Sequence, residues 1–190
     1  EINTNLSPAF EGLHDIYIPS YRPTRQAIPL TQVDERIGTH AINIDPAKIV
    51  GIVFNNDLHD SPSTVTAPDD ETQSIANHLI AFFEKEVAEE RLPKNLGPLQ
   101  AGIGSIANAV LTGLKDSNFE DLIMYSEVLQ DCTFELIDAG KMKFASGSSI
   151  TLSAKYGEKV FNNLEQYKDK LVLRPQEISN HPELVRRLGI

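Results

Sequence analysis

The sequence predicts an α/β fold with an open, mostly parallel sheet and flanking helices. From Leu96 onward, short apolar segments alternate with stretches of helical periodicity, which is typical of strands joined by helical crossovers. A glycine-rich turn at Gly102–Ala107 stands where a short segment leads into one such helix. Of the 190 residues, 41% are apolar and 23% are charged, a composition that suits a globular chain with a sizeable core.

The first third of the chain is predicted to contain little helix. Residues 1–40 carry four prolines, each of which lacks a backbone donor, so we expect extended connections with a candidate strand at Leu13–Ile18. The apolar, β-branched run Lys48–Phe54 predicts a buried strand. Residues 55–68 are polar and rich in proline and serine, which predicts a loop or linker.

Helices and strands then alternate. A helix capped by Asp69 or Asp70 is predicted to end near Arg91, and a second to run from Ser105 to about Leu114. The remaining predicted elements are strand Leu122–Tyr125, helix Val128–Ile137 with Gly140 after it, strand Ser149–Ser153, helix Tyr156–Tyr167, strand Lys170–Arg174, and a helix starting at Pro182 with Asn180 as its cap.

Composition excludes several classes of function. A formal net charge of −10 argues against nonspecific binding to nucleic acid, which requires a basic surface. The single cysteine, Cys132, allows neither an intrachain disulfide nor a cysteine-based zinc site. The five histidines show no metal-ligand spacing, so we expect no metal. The sequence has no run of 18 apolar residues that predicts a transmembrane helix.

The turn Gly102–Ala107 matches the pattern G-x-G-x-x-A, and three interpretations stay open. It can be a tight turn that feeds a packed helix, an anion-binding turn that faces a thioester or phosphate, or a dinucleotide fingerprint. The last requires a preceding strand, which Gly97 and Pro98 shorten, and an acid about 20 residues later. Glu127 follows Gly102 by 25 residues, a loose match. Ser105 is interpreted as a helix cap rather than a nucleophile.

Glu127 follows the strand predicted at Leu122–Tyr125. Ligands of open α/β sheets gather at the carboxyl ends of strands, so this carboxylate can be a nucleophile or a base. It can equally be an acid placed at a helix N-terminus, where the helix dipole favours negative charge.

Taken together, five segments in order resemble the acetyl-CoA hydrolase/transferase family, which includes the succinyl-CoA:acetate CoA-transferases. The segments are Gly12–Tyr17, Asp45–Val50, Pro98–Val110, Tyr125–Asp131, and Leu173–Glu183 followed by Arg186–Gly189. The resemblance implies a CoA-transferase-like fold that is incomplete, because family chains are longer at both ends. Residues 1–66 would be the end of a first domain with its linker, and 67–190 the first part of a second, catalytic domain. The family's second glycine-rich loop, which supplies an oxyanion donor, would lie beyond Ile190.

The resemblance also implies roles for particular residues. Glu127 aligns with the family's nucleophilic glutamate, and Asn180 aligns with an active-site asparagine near the acyl group. The loop that approaches coenzyme A and its thioester aligns with Gly102, Ile103, Gly104, Ser105 and Ile106.

The implied function is an acyl-CoA:carboxylate CoA-transferase that works through a glutamyl-CoA thioester, with acetyl-CoA or succinyl-CoA as donor and acetate or succinate as acceptor. Alternatives are an acetyl-CoA hydrolase that uses the same site, a noncatalytic CoA-binding module, and an NAD-binding dehydrogenase. We expect coenzyme A thioesters as substrates rather than a permanently bound cofactor. We further expect a homo-oligomer that binds small carboxylic acids but neither nucleic acid nor membranes, in the cytoplasm or, in a eukaryote, the mitochondrion.

Overall fold

The structure, a computed structural model, describes residues 9–54, 62, 64 and 68–190. Within these residues the strands are β1 (Pro98–Leu99), β2 (Leu122–Tyr125), β3 (Val128–Leu129), β4 (Met142–Gly147), β5 (Ser149–Ile150) and β6 (Leu171–Leu173). The main sheet is parallel throughout, in the order β1-β2-β4-β6. Strands β3 and β5 form a small parallel pair of their own. The predicted α/β class with a parallel sheet is therefore confirmed.

The helices of the described chain surround this sheet. They are α1 (Asp70–Ala88), α2 (Ser105–Asp116), α3 (Asp131–Asp138), α4 (Ala154–Phe161), α5 (Gln176–Ser179) and α6 (Pro182–Leu188). Helix α1 begins where predicted, because the Asp69 carboxylate accepts a hydrogen bond from the Thr72 N–H at 2.8 Å. Proline opens α6 and the left-handed Gly189 closes it, as such helix ends favour. No helix among the described residues has both the length and the apolar character needed to cross a membrane.

Alternation along β2 divides the core between the two faces of the sheet. Leu122 and Met124 pack into a large cluster with side chains of α2, α3 and α4, and with partly buried residues of α1. Tyr125 points to the opposite face, since successive side chains of a strand alternate. There it meets a smaller cluster that contains Ile28, Leu30, Val33, Ile178 and Leu184. Residues 28–33 and helices α5 and α6 thus cover the second face.

The segment around residue 15 is attached to the edge strand β6. Leu173 N–H donates to the Leu13 carbonyl at 2.9 Å, and Asp15 N–H donates to the Leu173 carbonyl at 2.8 Å. The Arg174 guanidinium, fully buried, pairs with the buried Asp15 carboxylate. The candidate strand at Leu13–Ile18 is replaced by isolated bridges, His14 with Leu173 and Ile16 with Thr39. The domain boundary predicted between residues 66 and 67 stays a prediction.

The buried strand predicted at Lys48–Phe54 is wrong. Residues 46–48 form a 3-10 turn, and 49–54 have no strand partner. Their apolar side chains face outward, with Phe54 90% exposed. The pattern predicted apolar character correctly, but a strand also requires a neighbour, and the described residues place none there. The loop predicted at 55–68 falls almost entirely outside the described residues.

Other boundaries also differ from prediction: α1 ends at Ala88 rather than near Arg91, and the strand predicted at Ser149–Ser153 ends at Ile150. The helix predicted at Val128–Ile137 starts only at Asp131, because Val128–Leu129 pairs with β5 first. The helix predicted at Tyr156–Tyr167 ends at Phe161 and continues as short 3-10 turns. Gly104 rather than Ser105 is the N-cap of α2, which runs to Asp116.

Candidate active site

The site lies along one edge of the sheet, where the carboxyl ends of the parallel strands meet. The glycine-rich turn at Gly102–Ile106 follows β1, Glu127 follows β2, Ser148 follows β4 and Gln176 follows β6. Residues that are far apart in sequence therefore converge on one edge. This is the place where open α/β sheets bind ligands.

Two side-chain amides hold the carboxylate of Glu127. Gln176 Nε2 donates to Oε1 at 2.6 Å, and Asn180 Nδ2 donates to Oε2 at 3.0 Å. Both oxygens thus have a donor, and the carboxylate is fixed in orientation. The structure brings together the two residues that the sequence assigned to catalysis, Glu127 and Asn180.

Asn180 is not the cap predicted for the following helix. It ends the short helix α5, and His181 is the N-cap of α6. Sequence reasoning missed Gln176, which lies four residues before Asn180. A spacing of four places two residues on the same face of a helix. This spacing was the signal in the sequence that could have indicated that Gln176 lies beside Asn180.

Helix α5 is anchored to the strand that precedes Glu127. The buried Tyr125 hydroxyl donates to the Ile178 carbonyl at 2.7 Å. Burial raises the pKa of Tyr125 to about 12, so the phenol remains a protonated donor at neutral pH. Tyr125 lies two residues before Glu127, and Ile178 two before Asn180. This bond therefore helps to hold α5 beside the end of β2.

The backbone around Glu127 excludes its interpretation as a helix N-terminal acid. Its carbonyl accepts hydrogen bonds from Ser148 N–H at 2.7 Å and Ser149 N–H at 3.2 Å. Strand β3 follows, and α3 begins only at Asp131, which occupies the first helical turn instead. The helix dipole is thus not the reason for a glutamate at position 127.

Hydrogen bonds join the start of the glycine-rich turn to residues that precede and follow Glu127. Ser126 Oγ donates to the Ala101 carbonyl at 2.8 Å, and Gln130 Nε2 donates to the Gly102 carbonyl at 3.3 Å. Gly104 has a φ of 134°, a backbone conformation that residues with a Cβ atom rarely adopt. All residues of Gly102–Ile106 are exposed, including the apolar side chain of Ile103 at 75%. The turn is therefore positioned beside β2 with its surface open.

A cleft of about 420 Å³ opens beside Glu127. It is lined by side chains from several segments: His14, Ile16, Ile42, Glu127, Ser148, Ser149, Leu173, Arg174, Pro175 and Gln176. Burial lowers the pKa of His14, against a hydrogen bond to the Phe10 backbone that raises it. A lowered pKa favours the neutral form of the His14 imidazole in this cleft at neutral pH.

Cys132 is unsuited to act as a nucleophile. It is 5% exposed, and burial raises the pKa of its thiol to about 12. The thiolate is the reactive form of cysteine, and it is scarcely populated at neutral pH with such a pKa.

The whole chain is similar in sequence to proteins named acetyl-CoA hydrolase. It is 48% identical over 189 residues to an acetyl-CoA hydrolase of Schizosaccharomyces pombe and 44% identical over 190 residues to that of Saccharomyces cerevisiae. Each match covers 100% of this chain but 36% of the relative, so the chain spans about a third of their length. No protein-family model matches the chain.

Among solved structures, the crystal structure of RipA from Yersinia pestis has a similar fold. The TM-score is 0.54 at 18% sequence identity, and the match covers 70% of this chain and 29% of RipA. At that identity the likeness supports the fold alone.

Proposed function

We propose that this chain belongs to the acetyl-CoA hydrolase/transferase family and that its protein cleaves short acyl-CoA thioesters through Glu127. The observation that carries the proposal is the carboxylate of Glu127 at the carboxyl edge of the sheet. It is oriented by Gln176 and Asn180 at 2.6 and 3.0 Å and borders the cleft. A carboxylate is a weak nucleophile toward a thioester, so this fixed orientation supplies part of what the reaction requires.

In the first step, a carboxylate oxygen of Glu127 attacks the acyl carbonyl carbon of the thioester. A C–O bond forms, the C–S bond breaks, and coenzyme A leaves as a thiolate from a mixed acyl–glutamyl anhydride. The thiolate then attacks the glutamyl carbonyl carbon. A new C–S bond forms, the anhydride C–O bond breaks, and the free acid leaves as its carboxylate. The product on the enzyme is a glutamyl-CoA thioester.

The second half of the reaction removes coenzyme A from Glu127. If another carboxylate attacks the glutamyl carbonyl, the same steps run in reverse and produce a new acyl-CoA. If water attacks the glutamyl carbonyl carbon, a C–O bond forms and the C–S bond breaks. One proton of the water passes to the leaving thiolate and the other to solvent, so that Glu127 is regenerated as its carboxylate. The name of the curated relatives supports water as the acceptor, and it gives no support to the NAD-binding alternative.

The oxyanion that forms in each step requires hydrogen-bond donors. The turn Gly102–Ile106 follows β1 on the same edge and is exposed, and its Gly102 carbonyl accepts a hydrogen bond from Gln130, three residues after Glu127. Glycines permit such a backbone to come close to a ligand, and removal of one oxyanion donor typically lowers the rate about 10²–10³-fold. We assign these N–H groups the role of oxyanion donors and of contacts to coenzyme A.

The test is mass spectrometry of the full-length protein after incubation with acetyl-CoA. We expect a CoA adduct on the peptide that contains Glu127, and none in Glu127→Ala. The matched control is Glu120→Ala, because the Glu120 side chain is 75% exposed and not among the cleft residues. Measuring acetate release with and without added succinate separates hydrolysis from transfer. No adduct in the unsubstituted protein, or an adduct that persists in Glu127→Ala, would overturn the proposal.

A further inference from the structure

The hydroxyl of Ser148 is a polar group that the fold leaves without a partner. Its Oγ is buried, yet no described residue forms a hydrogen bond with it. A buried hydroxyl without a partner costs free energy, and polar groups of this kind in native proteins usually have a partner that the protein itself does not supply. Its neighbour Ser146, also buried, differs because its Oγ accepts from Arg174 Nε at 3.0 Å.

Ser148 lies in the same cleft as the proposed nucleophile. Its backbone N–H donates to the Glu127 carbonyl at 2.7 Å, so the two residues are fixed relative to each other. Both contribute to the wall of the cleft, together with Gln176. A small molecule that occupies this cleft beside Glu127 therefore lies against Ser148, and rotation about the Cα–Cβ bond of Ser148 turns the free hydroxyl toward that molecule.

The charges of the cleft favour a neutral donor for an acid that binds there. Arg174 also lines the cleft, but its guanidinium is engaged by Asp15, by Ser146 Oγ and by the Val33 carbonyl at 3.0 Å. An ionised Glu127 repels a second carboxylate. Once Glu127 carries coenzyme A as a thioester its charge is gone, and a neutral hydroxyl is then sufficient to hold the incoming acid.

We propose that Ser148 Oγ donates a hydrogen bond to a carboxylate oxygen of the small acid that leaves or enters beside Glu127. This inference rests on the proposed function and deepens it, because it identifies Ser148 as a binding residue for the acid rather than for coenzyme A. The donor hydrogen comes from the hydroxyl that is otherwise unpaired, and no covalent bond is made or broken.

The experiment uses the full-length protein loaded with coenzyme A on Glu127. Acetate discharges this adduct by forming acetyl-CoA and freeing the carboxylate, and the rate is measured against acetate concentration. In Ser148→Ala we expect the half-saturating acetate concentration to rise about tenfold, as loss of one charge-assisted hydrogen bond produces. The KM for acetyl-CoA should stay within about twofold. The control Ser74→Ala, exposed on α1, should leave both quantities unchanged.

Ser148→Cys keeps the size of the side chain while weakening the donor, and it serves if the alanine variant fails to fold. It should raise the half-saturating acetate concentration in the same direction. An unchanged value in either folded variant, with adduct still formed on Glu127, would overturn the role of Ser148 alone. Failure of the unsubstituted protein to form the adduct would instead overturn the proposed function.

Discussion

At the scale of single residues, the candidate site depends on how two amides hold one carboxylate. Gln176 and Asn180 each donate to a different oxygen of Glu127, so neither can replace the other. Amides orient the carboxylate without adding a positive charge that would make it a weaker nucleophile. The pair therefore combines orientation with an unneutralised negative charge.

Replacing Asn180 with alanine should lower kcat/KM for acetyl-CoA about tenfold or more, since one fixed contact to the proposed nucleophile, the carboxylate of Glu127, is lost. Gln176→Ala should have a comparable effect, and the double variant should lose less than the product of the two, because the residues orient one group. Steady-state kinetics with acetyl-CoA measures this. Gln166→Ala, an exposed position outside the cleft, is the control. Full activity in Asn180→Ala would contradict the positioning role.

The sequence predicted this site unevenly, and the reason is physical. Glu127 and Asn180 belong to segments that resemble a known family, so their assignment did not need the fold. The contribution of Gln176 and Ser148 depends on where β4 and β6 end relative to β2, which is a property of the sheet. No local pattern around Ser148 distinguishes an unpaired hydroxyl from the paired one of Ser146.

At the scale of elements, one buried ion pair joins three parts of the fold. Asp15 Oδ1 accepts from the backbone N–H groups of Ile37 and Gly38 at 3.0 and 2.6 Å, while Oδ2 pairs with Arg174 at the end of β6. Burial lowers the pKa of Arg174, and the charge of Asp15 opposes that shift. The residue after this arginine is Pro175, the N-cap of α5, the helix that carries Gln176.

Asp15→Asn should therefore lower the free energy of unfolding by about 3–5 kcal/mol, because the guanidinium stays buried without its counter-charge. Urea denaturation of the 190-residue chain measures this. The comparison is Glu177→Gln, which breaks the exposed pair with Arg25 and should cost at most about 1 kcal/mol. Equal changes in the free energy of unfolding would show that the buried pair stabilises the attachment of residues 9–39 to the sheet no more than an exposed ion pair does.

Element prediction succeeded where the signal is local and failed where it depends on a partner. Helix α1 has its cap and its apolar periodicity within one segment, and its start was predicted correctly. Strand β3 is two residues long and is defined by its pairing with β5. Because that pairing is not visible in the local sequence, Val128–Leu129 were predicted as the start of a helix.

At the scale of the whole molecule, the described chain exposes an apolar segment. The side chains of Ile49, Val50, Ile52, Val53 and Phe54 all face outward, and consecutive exposed apolar residues of this kind mark interaction surfaces. The apolar run Lys48–Phe54 was predicted to be buried from its composition alone. Its exposure shows why composition cannot decide burial: the same run is a core strand only where another surface covers it.

The 190-residue chain should consequently self-associate through this segment. We expect its mean molar mass in light scattering after size-exclusion chromatography to rise with concentration. The double substitution Val53→Lys and Phe54→Lys should reduce that rise, because the charges oppose apolar contact. Both side chains are at least 90% exposed, so the melting temperature should stay unchanged. Tyr21→Lys makes the same change at another residue with high exposure and should leave the association as it was. If the double variant associates as before, residues 49–54 are not the contact surface; if its melting temperature falls, those side chains are packed in solution.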